Sequence, residues 1–519
     1  VDKNENSSSI REQVEARIRE EAEKIGSGES PDVEITSKFI QDCLWSRELG
    51  DGVLFSVLHN GKYIFNKSAG EWLKWDSHHW DRDIRERALA HVEDVSDRYL
   101  QEAYELVGKI GEASKSENKD LMKKLQKTQD KLYSRVSHLR TERGRNACIK
   151  FARTNKEYAL DIRGDELDQS PWLLACKNGV VDLRTGILRD GRPEDCLLKA
   201  CPFDFTGIDT PAPEWEMALL EIFDKDRDLI QYLQRLLGYA ITGLTKEHIL
   251  PIFWGRGRNG KGTIVETISY VMGDLAGPIP TEMLLDQGRN KNSSGPTPEI
   301  MALRGFRIAF ASEADEGRRF SPSRVKWLSG GDTLVGRSPH DKYPISFEPT
   351  HTLIMLTNDK PQAPAQDFAF WERVHLIPFK LSFVAREPVG EFERKADKDL
   401  KDKLRENSSG ILAWLVRGCI AWQEKGLEKP AAVREATEQY RKDEDILGAF
   451  LDDNCAIDPL SEAKSSELYE VFSSWYEENV GKRVPSQRKF GLLMGKKFER
   501  SGRIRVYHGL KLLPENLRG

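Results

Sequence analysis

The segment Gly255-Arg-Gly-Arg-Asn-Gly-Lys-Gly-Thr263 constrains this chain more than any other stretch. It follows an apolar run of strand length, Ile249-Leu-Pro-Ile-Phe-Trp254, and leads into a helix expected to start near Thr263. A glycine-rich turn between strand and helix lets the backbone wrap closely around a chain of phosphates. Its N–H groups and the helix N-terminus face the anion, and a lysine placed as Lys261 is reaches the β- and γ-phosphates. Gly255, Gly257, Asn259, Gly260, Lys261, Gly262 and Thr263 are therefore candidate nucleotide-binding residues, with Lys261 also catalytic. One position departs from the usual pattern. The hydroxyl that binds Mg²⁺ normally follows the lysine directly. Here Gly262 stands in that place, and the hydroxyl comes one residue later, at Thr263. Either Thr263 or a water fills the coordination position.

Such a loop needs a carboxylate at the end of a neighbouring strand to hold Mg²⁺ and polarise the attacking water. Arg307-Ile-Ala-Phe-Ala-Ser-Glu313 is an apolar run ending in acid. Glu313 is thus the first candidate for catalysis and Mg²⁺ binding, with Asp315 or Glu316 as a second acid. A third run, His351-Thr-Leu-Ile-Met-Leu-Thr-Asn358, ends in an amide where a sensor of the γ-phosphate would sit. Between these two strands, extended segments around a Pro/Asp tip predict a β-hairpin carrying Arg337, His340 and Lys342. In the pore of a ring, these side chains would contact DNA phosphates. Arg373 immediately precedes the apolar strand Val374-His-Leu-Ile-Pro-Phe379. That place suits an arginine whose fixed charge stabilises the transferring phosphoryl group on a neighbouring subunit.

At 519 residues the chain is too long for one core, and the fold class expected is α/β and multidomain. Residues 1–35 read as a charged tail and linker, and 36–206 as an α+β N-terminal domain. Residues 207–383 hold the P-loop core, 384–446 a helical segment, and 447–519 a small separate domain. Within the N-terminal domain, Val53–Leu58 and Lys62–Phe65, split by Asn60-Gly61, read as a hairpin. Leu121, Leu125, Leu132, Val136 and Leu139 form a core-facing stripe in a helical hairpin. Asn178–Gly186 reads as turn, strand and turn, and two amphipathic helices are expected at about 214–224 and 226–241. Asp224-Lys-Asp226, between those helices, reads as solvated surface. In the last domain, a helix with Leu468, Phe472 and Trp475 precedes one capped by Ser486. Strands around 503–507 and 509–512 follow, an order that suits a winged helix.

The net charge of −5 does not announce a nucleic-acid binder, so basic residues would have to converge locally. Seven cysteines are scattered without a Cys-x-x-Cys pair, which predicts buried free thiols rather than a zinc ribbon. No apolar run is long enough to cross a bilayer, and Val1–Ser9 lacks the apolar core of a signal peptide. A cytoplasmic protein with no membrane partner is expected. The start at Val1 rather than Met suggests a cloning scar or an excised segment, so part of the natural chain is expected to be missing.

Together these segments resemble the superfamily 3 helicases, and most closely the phage/plasmid primase–helicase family that includes the poxvirus primase–helicase. Pro171-Trp-Leu-Leu and Asn178–Gly186 resemble that family's pre-helicase domain. Gly410-Ile-Leu-Ala-Trp-Leu-Val-Arg-Gly418 and Tyr440-Arg-Lys-Asp-Glu-Asp445 resemble its post-helicase segment. The resemblance implies an AAA+ core, a hexameric ring, dependence on ATP and Mg²⁺, and 3′ to 5′ translocation on single-stranded and forked DNA, with a primase or polymerase as a possible partner. It carries Gly260, Lys261, Thr263, Glu313, Lys326, Asn358 and Arg373 as ATPase residues and the Arg337–Lys342 hairpin as the DNA-contacting element, with Lys326 also grouped with Arg337, His340 and Lys342 as a DNA contact. Two other readings stay open: a bifunctional primase–helicase, and a non-helicase P-loop ATPase acting on protein or duplex DNA.

Overall fold

The computed structural model describes residues 34–288, 296–312, 317–339, 344–501 and 505–514. The first unit is helical with a small sheet. Helices α1 (Ser37–Trp45), α2 (Arg47–Leu58), α3 (Val92–Lys115), α4 (Lys119–Leu139) and α5 (Glu142–Ala152) enclose Leu54, Phe55, Val95, Tyr99 and Leu132. Strands β1 (Tyr63–Asn66), β2 (Glu71–Asp76) and β3 (His79–Arg82) form an antiparallel meander, and β4 (Asp161–Ile162) adds in parallel to β1. Val53–Leu58 is therefore helix, not the first arm of a hairpin. A run of six apolar and small residues fits either state by pattern alone. Here close helix packing decides: a Cβ on Gly50 would lie 1.8 Å from the Cys43 carbonyl oxygen, and one on Gly52 2.5 Å from Phe151 Cβ. The stripe on α4 is buried at Leu132, Val136 and Leu139 but runs out toward its start, where Leu121 is 42% exposed.

A three-stranded meander follows, β5 (Leu173–Cys176), β6 (Gly179–Asp182) and β7 (Ile187–Arg189), as the turn–strand–turn pattern predicts. Then come α6 (Pro213–Ile222) and α7 (Arg227–Ala240). The carboxylate of Asp226 accepts from Leu229 N at 3.0 Å and caps α7, while Asp224 accepts from Arg394 at 2.9 Å. The Asp224/Asp226 pair thus has structural work.

The centre of the molecule is a five-stranded sheet. Its strands are β8 (Leu250–Trp254), β9 (Ala276–Ile279), β10 (Ile308–Ser312), β13 (Thr352–Thr357) and β14 (Val374–Pro378). They lie in the order β14-β8-β13-β10-β9, and every pairing is parallel. Parallel strands must be buried on both faces, and the side chains divide accordingly. Phe253, Phe310, Ile354 and Ile377 join one core with α6, α7 and the helix α8 (Lys261–Met272). Ile252, Ala309, Met355 and Leu376 join a second core with α9 (Pro322–Ser329). The first core also takes in Leu174 and Val181 of the meander and the later helices α10 (Leu400–Glu406) and α11 (Ser408–Lys425). Hydrophobic packing therefore runs across the compositional boundaries at 206/207 and 383/384.

Three contacts fasten this centre. Gly238 of α7 and Gly418 of α11 meet backbone to backbone, where a Cβ on Gly238 would sit 2.1 Å from the Gly418 carbonyl carbon. The Tyr232 hydroxyl bonds His375 Nδ1 beneath β14. Arg307, only 2% exposed, donates to the carbonyls of Ser170 (2.9 Å) and Leu173 (3.2 Å) and so pins the meander to β10.

Beyond the sheet, β15 (Ser382–Val384) and β16 (Glu393–Lys395) pair in parallel, and after α12 (Ala431–Asp443) residues from Leu447 to Leu512 build a separate core. It contains α13 (Ile446–Asn454), β17 (Cys455–Lys464), α14 (Ser465–Asn479), α15 (Gln487–Met494) and β18 (Val506–Leu512). The two strands expected at 503–507 and 509–512 are one strand running through Gly509, with 502–504 outside the described residues. Its antiparallel partner is β17, upstream of both helices. Six of the seven cysteines are buried, and all seven are free thiols. Among the described residues, no helix is long and apolar enough to cross a membrane.

Candidate nucleotide-binding site

Because the central strands are parallel, their C-terminal ends open on one edge, where α/β sheets hold ligands. The loop after β8 and Asn358 after β13 both lie there. Gly260 caps α8 with φ +90°, a left-handed value that glycine adopts without strain, and a Cβ there would press to 2.7 Å from Ile222. Gly257 and Gly262 face open space. The loop leans on the end of β14: a Cβ on Gly255 would meet the Phe379 carbonyl oxygen at 2.3 Å, and Arg258 O accepts from Phe383 N at 2.6 Å.

Lys261 is only 7% exposed. Its Nζ donates to the Gly255 carbonyl and, at 3.0 Å, to Asn358 Oδ1. The ammonium thus lies across the mouth of the loop, within reach of the sensor position on β13. Asn259 behaves differently from the expectation that it contacts ligand. It is buried, and its amide reaches the Phe379 carbonyl and Lys261 N, both at 3.5 Å, so it braces the loop from within. Thr263 is half-buried on the face of α8 that lines a cavity of about 580 Å³, together with Glu266, Tyr270, Phe310 and Ser312. Ser312 ends β10. Glu313, Asp315 and Glu316 lie outside the described residues.

Arg373 lies away from this edge. Its carbonyl accepts from Leu250 N, at the opposite end of β8, and its side chain donates to the Ala369 carbonyl at 2.7 Å. Lys326 is ion-paired with Asp367 at 2.8 Å, which commits its charge within the subunit and counts against an unencumbered DNA contact. The predicted hairpin is present as β11 (Leu334–Gly336) and β12 (Ile345–Phe347), with Arg337 directly after β11. His340 and Lys342, at its tip, lie outside the described residues.

A family model described as "D5 N terminal like" matches residues 54–224. A mimivirus protein (Acanthamoeba polyphaga), named "Putative helicase L207/L206", is 28% identical over 335 residues, 62% of this chain and 35% of that protein. Over these stretches the chain is similar to viral proteins named as helicases and primases. Further viral proteins are alike at lower identity. "Putative helicase 022R" of Frog virus 3 is 26% identical, covering 61% of this chain and 40% of its own. "Putative primase C962R" of African swine fever virus is 22% identical, covering 60% and 34%. The chain spans little more than a third of the length of the relatives it matches first. A solved apo structure of the NrS-1 C-terminal region superposes with a TM-score of 0.41 at 16% identity, over 76% of this chain and 78% of that one.

Sequence reasoning missed two contributors to the candidate site. Ile222 and Phe379 come from α6 and from the end of β14, and they form the wall against which the glycine loop rests. Neither is marked by a motif. Their apolar character signals only core, and only the sheet order brings the end of β14 beside β8.

Proposed function

We propose that this chain is the motor of a superfamily 3, AAA+ type DNA helicase that uses ATP and Mg²⁺. In this reading ATP occupies the loop 255–260, with Lys261 on the β- and γ-phosphates and Asn358 sensing the γ-phosphate. Glu313 and Thr263 serve the metal and the attacking water. Subunits assemble into a ring, a hexamer by family resemblance, in which Arg373 of one subunit completes the site of the next. Arg337, with His340 and Lys342, would grip a single DNA strand in the pore, and cycles of hydrolysis would draw it through, 3′ to 5′. The C-terminal unit, whose order is helix, strand, two helices and strand, suits a winged helix.

The observation that carries this reading is the separation of Lys261 and Arg373 to opposite edges of one sheet. An arginine that serves the phosphates from there can act only across a subunit boundary. A mixing experiment tests it. Lys261→Ala and Arg373→Ala proteins should each be inactive alone, yet regain part of the ATPase and unwinding when mixed, because some interfaces then pair an intact loop with an intact arginine. Absence of any recovery, with both proteins still assembling, would remove the shared site.

The relatives named as primases favour a second reading, in which unwinding is coupled to primer synthesis. Primer formation on a single-stranded template is its assay.

A further inference from the structure

The N-terminal unit contains a side-chain cluster that has no part in the nucleotide site. His59 follows the last residue of α2, His91 caps α3, and Asp94 lies in the first turn of α3. One donor atom from each lies within 4.8 Å of the others. His91 Nδ1 is 2.8 Å from Asp94 Oδ2, and His59 Nε2 is 3.3 Å from the same oxygen. In a tetrahedral zinc centre, donors at about 2.1 Å from the ion lie roughly 3.4 Å apart; His59 and Asp94 already have that spacing, and His91 Nδ1 would exchange its hydrogen bond to Asp94 for the ion.

His59 supplies a second and independent observation. It is 3% exposed, packed among the rings of Phe55 and Tyr63, and neither of its ring nitrogens makes a well-aligned hydrogen bond, although the His91 backbone and the Asp94 carboxylate lie close. Its approach to Asp94 is not aligned as a hydrogen bond. A buried polar group left unpaired is costly and uncommon, and an unplaced ion or water is one of its standard explanations. A cation between the His59 ring nitrogen and the Asp94 carboxylate would bind both.

We propose that His59, His91 and Asp94 bind one divalent transition-metal ion. Two imidazoles select against magnesium and calcium, which take oxygen ligands, and suit zinc. The side chains of His91 and Asp94 are nearly half exposed, so a water completes the fourth position. The ion ties the end of α2 to the start of α3 and so stiffens the unit matched by the family model. This inference is independent of the nucleotide reading.

The test uses the full chain, stripped with chelator and titrated with cobalt(II) and then zinc. One equivalent of cobalt should give the visible absorption of a tetrahedral site, zinc should displace it, and zinc should raise the melting temperature. His91→Ala and Asp94→Asn alter partly exposed side chains, so the metal-free proteins should melt as the parent does. Each should weaken cobalt binding by more than about tenfold and abolish the zinc-dependent rise. A titration without a tetrahedral band would overturn the proposal. So would variants that bind as the parent does, since binding would then lie elsewhere, for instance at thiols.

Discussion

Lys261 and Arg373 mark the two ends of the β8–β14 strand pair. Lys261 sits past the C-terminal end of β8, and the Arg373 carbonyl takes the amide of Leu250 at its N-terminal end. A strand of five residues is about 16 Å long. Arg373 therefore cannot reach the loop of its own chain.

Arg373→Ala should leave nucleotide affinity unchanged and lower hydrolysis by about a thousandfold, the order expected when an arginine acting on the transferring phosphoryl group is lost. Nucleotide binding and single-turnover hydrolysis separate the two effects. A loss of affinity as large as that of Lys261→Ala would place Arg373 in its own subunit's binding site instead.

With Gly262 beside Lys261, the proposed Mg²⁺ position falls either to the Thr263 hydroxyl or to a water. Gly262 has open space for a side chain, whereas Thr263 shares a cavity with Ser312 at the end of β10. If the Thr263 hydroxyl serves the metal, Thr263→Ala should reduce Mg²⁺-dependent hydrolysis at least tenfold, and adding Gly262→Ser should restore much of it. Wild-type rates in Thr263→Ala would assign that position to water.

The crossing of α7 and α11 leaves no room for a methyl group at Gly238 or Gly418, because each would strike backbone rather than a movable side chain. Gly238→Ala and Gly418→Ala should each destabilise the central unit by about 2–3 kcal/mol, the upper range for overpacking. Since α7 leads directly into β8, the melting transition that reports nucleotide binding should fall with it. Unchanged melting would show that the helices are not in contact.

Acid should weaken the same unit. Burial pushes the imidazole of His351 down to about 4 and that of His375 to about 3. The unfolded chain takes up protons near pH 6.5 while the folded one does not, so this stability is complete above that pH and drains away as pH falls toward 4. At pH 5 each histidine should cost about 2 kcal/mol relative to pH 7.5. His351→Gln keeps a donor for the Leu328 carbonyl without a titrating ring, so its melting temperature should fall less between those pH values than the parent's. Equal falls would exclude His351 as a source.

Three of the five central strands, β8, β10 and β13, were legible because in the sequence each is a short apolar run followed by a glycine loop or a polar residue. Local chemistry suffices when the loop's conformation, the strand before it and the helix after it are all neighbours in the chain. Val53–Leu58 was misread because its pattern suits both helix and strand, and the choice was made by Gly50 and Gly52, which admit neighbouring backbone from Cys43 and Phe151. The pairing of β18 with β17 was equally hidden, since about forty residues of helix and turn separate the partners.

Sequence alone showed a glycine loop of the phosphate-cradling type with a lysine at its end, and an arginine and an amide standing before and after later strands. Tertiary structure alone decided that the amide meets the lysine while the arginine faces away, because a parallel sheet sends every strand's end to one edge and every start to the other. It also brought His59 to His91 and Asp94, since only packing of α2 against α3 can converge donors that no spacing rule relates.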